Sequence, residues 1–126
     1  MNLTLMLGTR IVIGALVAYS IAILSEQKKR QVTRAVLFFL SLGIVLDITA
    51  TVFMIVGSPN SPFTLHGFLG YSALMGMLID GVAVWRFRLA HPETVPTPRP
   101  LHFYSRYAYI WWLAAFITGG ALVFFR

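Results

Sequence analysis

Three histidines and a few polar side chains carry the chemical capacity of this chain. His66 stands just inside an apolar run, and Gly70, Ala73, Met77 and Asp80 or Gly81 continue one helical stripe below it. Small residues beside an imidazole either let two helices pack closely or leave a flat slot next to a metal ligand. His102 opens a second stripe through Arg106, Tyr109, Leu113, Phe116 and Gly120. It reads either as a surface imidazole meeting water and phosphates, or as a second metal ligand with Arg106 reaching a carboxylate. His91 lies in a proline-rich stretch and reads as exposed, unless that stretch folds back and offers it as a ligand.

Asp47, Thr51 and Met54 fall at i, i+4 and i+7 and share a helix face. A threonine there usually bonds a carbonyl of its own helix. Met54 is either core filler or a thioether ligand. Arg10 is the remaining candidate. It can pair with Asp47, neutralising two charges that are each costly in an apolar setting. It can also grip a cofactor carboxylate with two parallel hydrogen bonds. No nucleophile–base motif is present and the four acids are widely spaced, which argues against an ordinary hydrolase. The chain has no cysteine, so disulfides, thiolate metal sites and covalent c-type haem attachment are excluded.

The elements that hold these residues are apolar spans. The 126 residues are 58% hydrophobic and 11% charged, against about 25% charged in a soluble domain. The predicted fold is an all-α integral membrane protein, one antiparallel bundle of four transmembrane helices over about 2–24, 35–56, 63–85 and 101–125. Each segment approaches or exceeds the roughly 20 residues that cross a bilayer. The net charge of +6 does not indicate nucleic acid, because the cations lie between apolar blocks. Lys28, Lys29, Arg30 and Arg34 occupy one link, and Arg86, Arg88, Arg99 and Arg106 flank another. The positive-inside rule places both links in the cytoplasm and both termini outside. Trp85, Tyr104 and Tyr107 fit an inner aromatic belt. The opposite link, Gly57–Pro62, has turn composition, and Pro100 suits the first turn of the last helix. The N-terminus lacks the basic start and cleavage site of a signal peptide.

Depth then limits the combinations. Arg10 lies fourteen residues from Leu24 and Asp47 twelve from Ala35, about 21 and 18 Å from the inner end, so the two match in height. Twenty residues separate His66 from Arg86 at the inner surface, about 30 Å. His66 and His102 therefore cannot ligate one metal within a single chain. They belong to two sites, or one of them is a bystander.

Three stretches resemble a known family: Leu46–Met54, Leu65–Tyr71, and Leu101-His102 together with Trp111-Trp112 through Gly120. With the length and topology, they are similar to the HsmA-type small haem-binding membrane proteins of bacteria. The resemblance implies a non-covalent b-type haem, one or two per chain, in the bacterial inner membrane. It points to His66 and His102 as the family histidines. The expected role is transmembrane electron transfer, redox sensing or haem handling, with the lipid bilayer, a redox partner or a second copy of the chain as partners. Two other classes stay open. One is a small dimeric transporter, in which Asp47 replaces the helix-1 glutamate that such proteins use. The other is an accessory subunit without chemistry of its own, docking through its basic face and proline-rich link.

Overall fold

The computed structural model describes residues 3–57, 65–92 and 94–124, without the side chains at 4, 5, 57, 65, 66 and 120–124. These residues form four helices, α1 (Leu3–Lys29), α2 (Arg34–Gly57), α3 (Leu65–Ala90) and α4 (Arg99–Phe124). Over Met6–Lys29, Arg34–Val56 and Gly67–Ala90 they are long and apolar enough to cross a membrane. The Gly57–Pro62 turn lies outside the described residues beyond position 57.

Each helix buries one seam with spacings of three and four residues. In α1 it is Ala15, Tyr19, Ala22 and Glu26, and in α2 Val36, Leu40, Gly43, Asp47 and Ala50. In α3 it is Ala73, Met77, Asp80 and Val84, and in α4 His102, Ser105, the half-buried Tyr109, Trp112 and Ala115. Such a repeat keeps one stripe facing neighbouring helices in a shallow antiparallel crossing. The helices follow one another around a ring, with α1 on α2, α2 on α3, α3 on α4 and α4 on α1. The α1–α2 contact is the closest because small residues line it. At Gly43, an added Cβ would lie 2.4 Å from the Tyr19 ring.

The outer surface is apolar, and the seam carries buried polar groups among its apolar residues. Ile13, Val17, Ile21 and Leu24 face outward from α1, and Phe38, Val45, Val52 and Val56 from α2. Glu26, Asp47, Asp80, His102 and Ser105 are buried. Exposed apolar surface on this scale marks a surface that meets something other than water.

The helices extend further at the basic end than the hydropathy suggests. Helix α1 runs to Lys29 rather than Leu24, and α3 to Ala90 rather than Trp85. Cations in the last turn favour this extension by meeting the negative end of the helix dipole, and Lys28, Lys29 and Arg88 stand there. Arg30 ends α1 in the left-handed region at φ 55°. The Thr33 hydroxyl caps α2 by accepting from the Val36 N–H at 3.2 Å. The proline-rich link is tied back to this corner. Gln31 and Pro96 form an antiparallel bridge, and the Thr97 N–H donates to the Arg30 carbonyl at 2.9 Å.

Candidate functional site

The polar seam forms three clusters between the basic end and the middle of the bundle. At the basic end, the His102 Nδ1–H points at the Glu26 carboxylate, 2.9 and 3.0 Å from its two oxygens. Gln27 braces the pair by donating to the His102 carbonyl at 2.9 Å and accepting from Arg106 Nε at 2.7 Å. Arg106 also lies over the Phe103 ring, 5.1 Å from its centroid. Arg30 and Arg106 are both within electrostatic reach of Glu26.

The second cluster is Asp80, fully buried, with Oδ1 accepting a very short hydrogen bond from the Ser105 hydroxyl. Its Oδ2 has no hydrogen-bond partner among the described residues. Asp80 interacts electrostatically with Glu26 on one side and Tyr19 on the other. The third cluster is centred on Asp47. Oδ2 accepts from the Tyr19 hydroxyl and from Trp112 Nε1, each at 2.9 Å. The Tyr19 and Trp112 rings meet edge to face with centroids 5.0 Å apart. Three helices are tied at this carboxylate.

The Arg10–Asp47 pair expected from matched depth does not form. Arg10 is exposed, and Asp47 is satisfied by Tyr19 and Trp112. The reason is helical phase. Gly8 faces α2, where an added Cβ would meet Met54 Cγ at 3.1 Å. Arg10 is two positions further, about 200° around the helix, and so points away. Met54 is the filler opposite Gly8, and the Thr51 hydroxyl bonds the Asp47 carbonyl at 2.8 Å. Asp80 is paired with neither Arg86 nor Arg106, but with Ser105. His91 is exposed just beyond α3, stacked on Phe87 at 4.6 Å, with Nδ1 3.0 Å from the Phe87 carbonyl.

His66 lies in the first turn of α3, and its side chain is outside the described set. One turn along, Gly70 has open space, since a Cβ there would meet nothing within 4 Å. The Ser105–Asp80 contact sets the register of α4 on α3. It places His102 about 25 Å along the bundle from position 66, somewhat less than the distance to Arg86 implies and still far beyond one metal's reach.

His102 is not a surface imidazole; it is buried. Metal-binding histidines commonly hand the non-ligating ring N–H to a carboxylate, which fixes the tautomer and leaves the other nitrogen's lone pair for the metal. Glu26 meets that requirement on Nδ1, and among the described residues Nε2 makes no hydrogen bond. The Glu26–His102 arrangement is the one a metal-binding imidazole uses, and Arg106 stands nearby as a cation. Among the described residues there is no group of three or more His, Cys, Asp or Glu able to hold a bare metal ion. A haem brings four of its own nitrogen donors and needs only one or two from the protein.

Glu26, Tyr19, Ser105 and Trp112 escape the sequence reading. Ending the first span at Leu24 puts Glu26 in a link, although Ala15, Tyr19, Ala22 and Glu26 already continue one seam. No family model, no curated protein and no solved structure matches the chain.

Proposed function

We propose that the protein is a b-type haem-binding membrane protein whose four helices all cross the bacterial inner membrane, basic end inward. The observation that carries this reading is the buried Glu26–His102 pair, with Nε2 of His102 making no hydrogen bond among the described residues. His102 would supply one haem ligand, with Glu26 holding its ring in the Nδ1–H tautomer so that Nε2 faces the iron. Gln27 holds Arg106 Nε, and among the described residues the Nη groups make no hydrogen bond, so they could pair with a propionate. His66 is assigned to a separate site at the other end, where Gly70 leaves space beside α3. The haem would supply a one-electron couple, and the buried carboxylates and the dry bundle would set its potential.

Transport through Asp47 is less well supported, because its Oδ2 already accepts two hydrogen bonds. The test is the absorbance spectrum of the purified protein, with a pyridine haemochrome assay and a haem-to-protein ratio. A Soret band that is lost or shifted in His102→Ala is expected. Protein that stays colourless and takes up no added haem would overturn the proposal.

A further inference from the structure

A groove separates α2 from α3 near the basic end. It comprises two adjoining hollows of about 430 and 410 Å³ that share Ser41, Val45 and Trp85. Trp85 Nε1 donates to the Ser41 hydroxyl at 2.8 Å, so the floor is a fixed bridge between the helices. Phe38, Leu42 and Val82 form apolar walls. The two cations lining it, Arg34 and Arg86, are both exposed, and no acid lines either hollow. From Arg34 to Val45 the groove follows eleven residues of α2, about 16 Å. That length is close to one leaflet of a hydrocarbon core roughly 30 Å thick.

An open apolar groove one leaflet long, with Arg34 at its end and Arg86 further along its side, is complementary to a lipid whose headgroup carries net negative charge. A zwitterionic lipid would match the channel and leave the cations without a net counter-charge. We propose that the α2–α3 groove is a specific seat for one anionic phospholipid, with its phosphate at Arg34 and Arg86 and an acyl chain along Phe38, Leu42, Val45 and Trp85. This rests on the reading that the bundle crosses a bilayer, and it is independent of haem.

Native mass spectrometry of the detergent-solubilised full chain tests it, with phosphatidylglycerol or phosphatidylcholine added. The wild type should retain one phosphatidylglycerol under activation that strips phosphatidylcholine. Arg34→Gln and Arg86→Gln should each lower that retention roughly fivefold. Lys28→Gln with Lys29→Gln, charges at the same end of the bundle but outside the groove, should leave it unchanged. Val45→Trp, which fills the channel with both arginines intact, should also lose the lipid, and it decides the matter if the arginine variants fail to fold. Equal retention of the two lipids by the wild type would overturn the proposal. So would an equal loss in the lysine variant, or undiminished retention in Val45→Trp. Haem content is read on the same samples, so failure of the lipid seat and failure of the haem reading are separate results.

Discussion

Glu26 and His102 are 76 positions apart in the chain and meet as a buried pair, with Nδ1 2.9 Å from one carboxylate oxygen. The contact joins the end of α1 to the start of α4, and among the described residues the second ring nitrogen of His102 makes no hydrogen bond. Glu26→Gln retains an oxygen that can accept from Nδ1 but removes the charge. Haem affinity should fall about tenfold to a hundredfold, as for other lost partners of metal-bound histidines, with the fold kept. Haem titration alongside helical circular dichroism reads both. Unchanged affinity would remove Glu26 from the site.

Asp47 is a structural acceptor for two helices. Asp47→Ala strands the Tyr19 hydroxyl and the Trp112 indole N–H in a buried setting. Two such orphaned donors cost about 2 to 5 kcal/mol. Arg10→Ala, at an exposed position that Asp47 does not touch, should change stability by less than about 0.5 kcal/mol. Thermal unfolding in detergent distinguishes these outcomes; equal losses would restore the Arg10–Asp47 pair. Arg10→Ala should still weaken haem retention if Arg10 grips a propionate.

Two glycines separate rigid from yielding contacts. At Gly43 a Cβ meets the buried Tyr19 ring at 2.4 and 2.7 Å, so Gly43→Ala should cost about 1 to 3 kcal/mol. At Gly81 the obstacle is the Ile44 Cδ1 methyl at 2.5 Å, the far end of a flexible side chain. Gly81→Ala should be near neutral, because the helix gains roughly 0.5 to 1 kcal/mol from losing a glycine. Comparing the two melting curves checks the asymmetry.

Ser105 gives Asp80 its one hydrogen bond. Ser105→Ala leaves that buried carboxyl group with no donor and should destabilise the bundle by about 1 to 3 kcal/mol. Asp80→Asn introduced with Ser105→Ala should recover part of the loss, since the charge is gone. A double-mutant cycle on unfolding measures the coupling, and strict additivity would contradict it.

The absence of cysteine gives a clean background for topology. Thr94→Cys, in the link at the basic end, should resist a membrane-impermeant maleimide in intact bacterial cells and react after permeabilisation. Asn60→Cys should react in both. The reverse pattern would invert the bundle.

The helices were legible in the sequence because their determinants are local. Long apolar runs bounded by basic and proline-rich links give four helices to within a few residues at most ends. The exceptions, Lys29 and Ala90, lie where cations prolong a helix past its apolar stretch. Thr51 bonding its own helix follows from a single spacing.

Partner identity was decided by the tertiary structure. Depth along a helix is fixed by counting residues, and it placed Arg10 level with Asp47. Rotation about the helix axis and register between helices depend on which small residues seat against which rings, as Gly8 does on Met54 and Gly43 on Tyr19. Those contacts turn Arg10 outward, bring Tyr19 and Trp112 to Asp47, and carry Glu26 to His102. The sequence alone determined which polar groups the bundle would have to accommodate. Packing between distant segments determined how they are paired, because a buried polar group is satisfied by whatever donor the register delivers to it.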